Sequence, residues 1–166
     1  IKGVELTDQA VDSFIVLLQV GLFANLEELD FRDCHIHDET ISQLGDALTP
    51  LSRAVTVRLY GNPIEKPDTW FAFALSCLRS LSVSQTCVTG EENVVEFIAC
   101  LDEKACDELQ QLDLVFSGAN CGIGDASIQQ LAEVIKNGSL PRLQFLSLSD
   151  CYITMNSDTM LIKALK

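Results

Sequence analysis

The sequence predicts an α/β solenoid, a curved right-handed arc with parallel strands on its concave face and helices on its convex face. Three observations carry that reading. A frame of apolar positions recurs along the chain, with one small polar position inside it. Each copy opens on a short alternating run, the mark of a strand with one buried face. Each copy then passes into apolar residues three and four apart, the mark of an amphipathic helix. One strand and one helix cannot bury their own apolar sides, so such units must stack.

In the frame, an apolar residue is followed by others three, five and ten positions later, with Asn, Cys or Thr at the eighth. The small polar side chain sits where the chain leaves the strand, and it can satisfy backbone groups that the turn leaves unpaired. The chain opens inside a copy, with Val4 and Leu6 in the positions of Cys34 and Ile36. A helix follows, with Val11, Phe14 and Leu18 on one face. Leu26, Leu29, Phe31, Cys34 and Ile36 make the clearest copy, and Ile41, Leu44 and Leu48 its helix. Asp38 is placed to cap that helix. Ala54, Val57, Leu59, Asn62 and Ile64 come next, then Trp70, Phe73 and Cys77 behind Pro67, a residue suited to a first helical turn.

Leu78, Leu81, Val83, Thr86 and Val88 repeat the spacing, and Val94, Phe97 and Leu101 follow. Thr89 with Glu92 reads as a capping box there. Leu109, Leu112 and Leu114 begin a further copy, but Cys121 and Ile123 arrive four residues late, so an insertion lies at Val115 to Asn120. Asp125 is the expected cap of the helix bearing Ile128, Leu131 and Ile135, and Asn137-Gly138 its stop. Leu143, Leu146, Leu148, Cys151 and Ile153 form the last copy. The starts lie 28, 24, 31 and 34 residues apart. Residues 1–166 are therefore expected to form one domain of about five and a half units, a segment of a longer protein.

Composition narrows the function. The net charge is −13, from 24 acids against 11 bases. That field repels nucleic acid and anionic membranes, and it draws in a basic partner. The longest apolar stretch, Phe14 to Leu29, is broken by Gln19, Gly21, Asn25, Glu27 and Glu28, so no membrane span is expected. The seven cysteines are scattered, with no CxxC pair. Such a set points to thiols in a reducing compartment, hence the cytoplasm. Asn137-Gly138-Ser139 is a single glycosylation match, a frequency close to chance.

Catalytic constellations are missing from the pattern. No Ser-His-Asp set or pair of catalytic carboxylates stands out. Cys34-His35-x-His37-Asp38 suggests a metal, but the frame turns Cys34 inward and leaves both histidines on the loop, so the three would not converge. Gly118 to Asp125 sits between a strand and a helix as a phosphate-binding turn would, yet lacks the Gly-Lys-Ser/Thr of a P-loop. Cys34, Cys121 and Cys151 hold the turn position and read as structural thiols; Cys100 and Cys106 are expected to be partly exposed. The reading is a non-enzyme with no cofactor, metal or small-molecule substrate.

Leu26-x-x-Leu29-x-Phe31-x-x-Cys34-x-Ile36 resembles the leucine-rich repeat family, specifically its long, ribonuclease-inhibitor-like subclass. The resemblance spans nearly the whole chain, with Ala54, Val57 and Thr86 as weaker matches. It implies a protein-interaction module, a scaffold or adaptor, that binds its partner on the inner strand face. Narrower roles within the resemblance are a regulator of a small GTPase, the sensor segment of a NOD-like receptor, and a filament cap as in tropomodulins.

Strand geometry says which side chains face that concavity. Glu28, Thr56, Ser80, Gln111 and Phe145 form a first column. Asp30, Arg58, Ser82, Asp113 and Ser147 form a second, and Arg32, Tyr60, Ser84, Val115 and Ser149 a third. Phe116 and Asp150 lie just beyond. Tyr60, Val115, Phe116 and Phe145 are candidate anchors. Arg32 and Arg58 are candidates to pair acids on a partner. Acids between Glu91 and Asp113 are expected on the solvated outer face.

Overall fold

The computed structural model describes residues 8–48, 55–65, 78–82, 90–103, 106–114, 123–148 and 153–165. Val4 and Leu6, the expected helix at 70–77, the Thr89 cap and the 115–120 insertion lie outside the described residues. Within them the order is α1 (Asp8–Gln19), β1 (Glu28–Asp30), α2 (Asp38–Leu48), β2 (Val55–Arg58), β3 (Leu78–Ser82), α3 (Glu91–Glu103), β4 (Gln111–Asp113), α4 (Asp125–Lys136), β5 (Phe145–Ser147) and α5 (Met155–Ala164).

The strands form one parallel sheet in chain order, β1 to β5. Neighbours in sequence are neighbours in space, as stacked units require. Leu29, Val57, Leu81 and Leu112, one from each of β1 to β4, are buried and stand in register with one another. Helices pack against their neighbours on the other side, α1 on α2, α3 on α4, and α4 on α5.

The core lies between these layers and follows the expected frame. Phe31, Cys34, Ile36, Leu59, Ile64, Leu109, Leu114 and Ile123 are buried, along with Ile41, Leu44 and Leu48 of α2 and Val94, Phe97 and Leu101 of α3. Each such apolar side chain contributes about 1.5–3 kcal/mol by leaving water. At the last copy the same frame is only half-covered: Leu143, Leu146 and Leu148 are partly buried beside the edge strand β5.

The expected stop of α4 is built as the residues suggest. The Gly138 N–H donates to Ile135 O at 3.0 Å and the Ser139 N–H to Val134 O at 3.2 Å. These two bonds satisfy carbonyls that the helix end would otherwise orphan. They require a left-handed residue, and Gly138 supplies it with φ +80°.

Candidate interaction surface

The parallel register settles which side chains share the open face of the sheet. Glu28, Thr56, Ser80, Gln111 and Phe145 stand side by side, as do Asp30, Arg58, Ser82, Asp113 and Ser147. Arg32 and Tyr60 lie two residues past the ends of β1 and β2 and are half-buried. Ser84, Val115, Phe116 and Asp150 lie outside the described residues.

Physical character changes along this face. The β1–β2 side is ionic. Arg32 grips Asp30 with two parallel bonds, Nε to Oδ1 at 2.8 Å and Nη2 to Oδ2 at 2.5 Å. The Asp30 carboxyl is held down at about 2, chiefly by that charged hydrogen bond, against a smaller upward push from burial. Arg58 donates to Glu28 across the strand pair at 2.8 Å. Both guanidiniums thus pair acids of their own chain. The pairing follows from register: Arg58 stands one strand away and two residues along from Glu28, on the same face.

From β3 to β5 the face is short and polar, with one large exception. Ser80 donates to Gln111 Oε1 at 3.3 Å, and Ser82 to Asp113 Oδ2 at 3.2 Å. Beyond them Phe145 is 54% exposed, on the last strand of the column.

Asn62 governs the turn beneath this face. Its side chain is 1% exposed. Oδ1 accepts the N–H of Cys34 at 3.1 Å and of Ile36 at 3.0 Å. Nδ2 donates to Phe31 O and Leu59 O, each at 2.7 Å. One amide therefore completes the backbone of two successive units. Cys34 is buried and donates to Arg32 O at 3.3 Å, while His35 and His37 are exposed.

Three comparisons bear on this geometry. Residues 25–47 match the family model described as Leucine Rich Repeat. No curated protein sequence matches the chain significantly. Among solved structures, the chain is similar to leiomodin-1 actin-binding site 2, with TM-score 0.68 at 14% identity, over 93% of this chain and 86% of that one. The C-terminal domain of Caenorhabditis elegans tropomodulin is similar with TM-score 0.67 at 18% identity, over 96% and 92%. The fold is a leucine-rich repeat solenoid.

In leucine-rich repeat terms, Cys34 and Asn62 occupy the same position of successive units. The helix starts carry a feature that sequence reasoning assigned differently. Asp38 and Asp125 were the expected caps of their own helices. Asp125 is instead the first helical residue behind Gly124, which makes no side-chain cap. Its Oδ1 accepts the Thr154 N–H at 2.8 Å and the Ser157 hydroxyl at 2.6 Å, at the start of α5. These bonds hold its carboxyl below the usual range, the Ser157 bond foremost.

Asp38 likewise accepts the Glu65 N–H at 3.1 Å, one unit on. Glu91, at the start of α3, accepts the N–H groups of Ala126 (2.7 Å) and Ser127 (3.1 Å) in the first turn of α4. Gly124 leaves room for it, since a Cβ there would stand 2.6 Å from Glu91 Oε1. Further along, Asp102 accepts from Asn137 and Ser139, and Arg142 donates to Glu108 at 2.7 Å. Many acids expected merely to face solvent therefore tie one repeat to the next. The recurrence of an acid at the first helical position was the signal available for this.

Cys106 also departs from expectation. It is fully buried, donates to Leu101 O at 3.6 Å, and desolvation pushes its thiol up to about 12. Cys100 is half-buried. Cys77, Cys87, Cys121 and Cys151 lie outside the described residues. Among the described residues no three His, Cys, Asp or Glu side chains come together as metal ligands, and no helix is long and apolar enough to cross a membrane.

Proposed function

We propose that this chain is a protein-interaction module of the long, ribonuclease-inhibitor-like repeat class, docking its partner on the inner strand face. Phe145 carries the reading. A phenylalanine 54% exposed on a strand face otherwise lined by short polar and ion-paired groups is a strong candidate anchor. The polar strip of Ser80, Ser82 and Ser147 beside it suits hydrogen bonding at the rim of such an anchor. Arg32 and Arg58, paired within the sheet and partly exposed, stay candidates to exchange those acids for a partner's. The net charge of −13 favours a partner with a basic surface. The scattered cysteines favour work in the cytoplasm as part of one repeat domain.

An affinity pull-down from cell extract tests this, with wild type beside Tyr60→Ala/Phe145→Ala at two salt concentrations. The expected result is a captured protein that the double variant loses and salt weakens. Capture indifferent to the double variant would move recognition off the strand face.

One partner is favoured by a specific observation. The chain shares its fold with the actin-binding site 2 of leiomodin-1 over 93% of its length. Actin is therefore the first purified partner to try, by co-sedimentation with filaments and by monomer binding. Absence of both would remove actin and leave the general module intact. Nothing among the described residues favours the GTPase-regulator or receptor-sensor alternatives.

A further inference from the structure

The end of α4 carries a dipeptide whose chemistry the strand-face reading does not use. Asn137 is followed by Gly138, and both are exposed. Asn137 Nδ2 donates to Asp102 Oδ2 at 3.2 Å, and the Ser139 hydroxyl donates to Asp102 Oδ1. Asp102 stands near the end of α3, one unit back. A single carboxylate of the preceding unit therefore holds the helix stop on both sides of Gly138.

We propose that Asn137 is a site of spontaneous conversion to aspartate, that Asp102 restrains the conversion, and that the product opens the tie between the ends of α3 and α4. The chemistry is intramolecular. The Gly138 backbone nitrogen attacks Asn137 Cγ and gives up its proton. A bond forms from that nitrogen to Cγ, the Cγ–Nδ2 bond breaks, and ammonia leaves with the proton. Water then opens the cyclic imide at either carbonyl, giving aspartate or its β-linked isomer. Nothing is oxidised or reduced, and water is the co-reactant. The following residue decides which asparagine reacts. A side chain there obstructs the attack, as Leu26 and Val94 do after Asn25 and Asn93, and Pro63 after Asn62 has no N–H at all. Gly138 has no side chain, and even a Cβ on it would meet nothing within 4 Å, so the approach is open. The fold sets the rate. Asn137 is held at ψ −11°, and the Gly138 N–H is bound to Ile135 O at 3.0 Å. Attack needs that bond broken and ψ turned, so it waits on fraying of the helix end. Asp102 opposes the fraying by holding Asn137 and Ser139 together. After conversion, residue 137 meets Asp102 with a carboxylate in place of a donor, and like charges repel. A negative charge at a helix C-terminus also opposes the dipole.

Peptide mass spectrometry of the intact chain, incubated warm at neutral pH and sampled over days, tests the proposal. The peptide holding Asn137 is expected to gain the mass of amide-to-acid exchange, in two separable isomers, ahead of the peptides holding Asn25, Asn93 and Asn156. Asp102→Ala, at an exposed position, should quicken this about tenfold, the factor that about 1.4 kcal/mol of lost restraint gives. In concentrated urea the wild type and this variant should convert at one common, faster rate, which assigns the restraint to the fold. Should Asp102→Ala lose its helix content, Ser139→Ala takes its place; it removes one of the two bonds and should quicken conversion by a smaller factor. Asn137→Asp should speed amide exchange at Gly138 and Ser139 by about fivefold or more. Equal rates for the folded wild type and the Asp102 variant would overturn the restraint. Conversion in urea with none in either folded chain would overturn the site. Unchanged exchange in Asn137→Asp would overturn the opening of the tie.

Discussion

Asn62→Ala should be among the most destabilising single changes available in this chain. The side chain is 1% exposed and makes four close bonds, two accepted from Cys34 and Ile36 and two donated to Phe31 and Leu59. Alanine leaves two N–H groups and two carbonyls beneath the sheet without that partner. At about 1 kcal/mol for each bond, and up to about 3 for a group left dry, the loss is about 4 kcal/mol once water reaches part of the gap. Domains are stable by only about 5–15 kcal/mol, so this is a large share. Urea unfolding followed by circular dichroism reads it directly. With a slope of about 2 kcal/mol per molar, the midpoint should fall by about 2 M at unchanged slope. Thr56→Ala, on the open face of the adjoining strand, should move it by less than about 0.5 kcal/mol and serves as control. Faster exchange should appear first at the Cys34 and Ile36 amides. A midpoint within about 0.5 M of wild type would refute the reasoning, because the turn would then hold without the amide.

Four further outcomes follow from the same geometry. Glu91→Ala should cost about 1 kcal/mol and expose the Ala126 and Ser127 amides to exchange, while Glu91→Gln recovers most of it; an effect confined to α3 would contradict the bracket. The Asp125 contribution rests on a lowered carboxyl, so it is present above the unfolded value of about 3.9 and is lost as pH falls through the lower folded one. Thr154 amide exchange, corrected for intrinsic rates, should stay slow down to that window and quicken only inside it. A double-mutant cycle on Arg58 and Glu28, whose side chains are 41% and 51% exposed, should give no more than about 0.5 kcal/mol, so any large loss of partner binding in Arg58→Ala reports recognition. Iodoacetamide at neutral pH should label Cys100 well before Cys106, read by peptide mass spectrometry; equal rates would deny the burial of Cys106.

Register was legible in the chain because a period-two strand leaves no choice of face once Leu29, Val57, Leu81 and Leu112 are assigned to the core. The two solvent columns followed from that alone. The helices followed from apolar spacing, and the α4 stop from Asn137-Gly138. What stayed hidden was the far end of each polar side chain. Glu91 and Ala126 are 35 positions apart, and nothing local says that one reaches the other. Arg58 looked available because its partner Glu28 lies 30 residues upstream on the neighbouring strand. Cys106 looked like loop surface because it follows α3, yet it is fully buried. Sequence spacing fixes direction along an element; contacts between elements depend on how tightly the units stack.

The forward reach of the acids gives the solenoid a polarity. Glu91 completes the start of α4, and Asp125 completes the start of α5, so these two helices are finished by the unit made before them. A ribosome delivers the N-terminal unit first. The carboxylate is thus already in place when the next helix emerges, and growth by addition at the C-terminal side meets a prepared template. Removing units from the two ends is then not equivalent. Loss of the α5 unit from the C-terminal side releases the Asp125 carboxylate to water. Loss from the N-terminal side strips the following helix of its cap and seeds fraying inward. The helix-start coupling between these units is consequently vectorial, and an engineered chimera would have to splice units with the acid and its recipient kept in the same order.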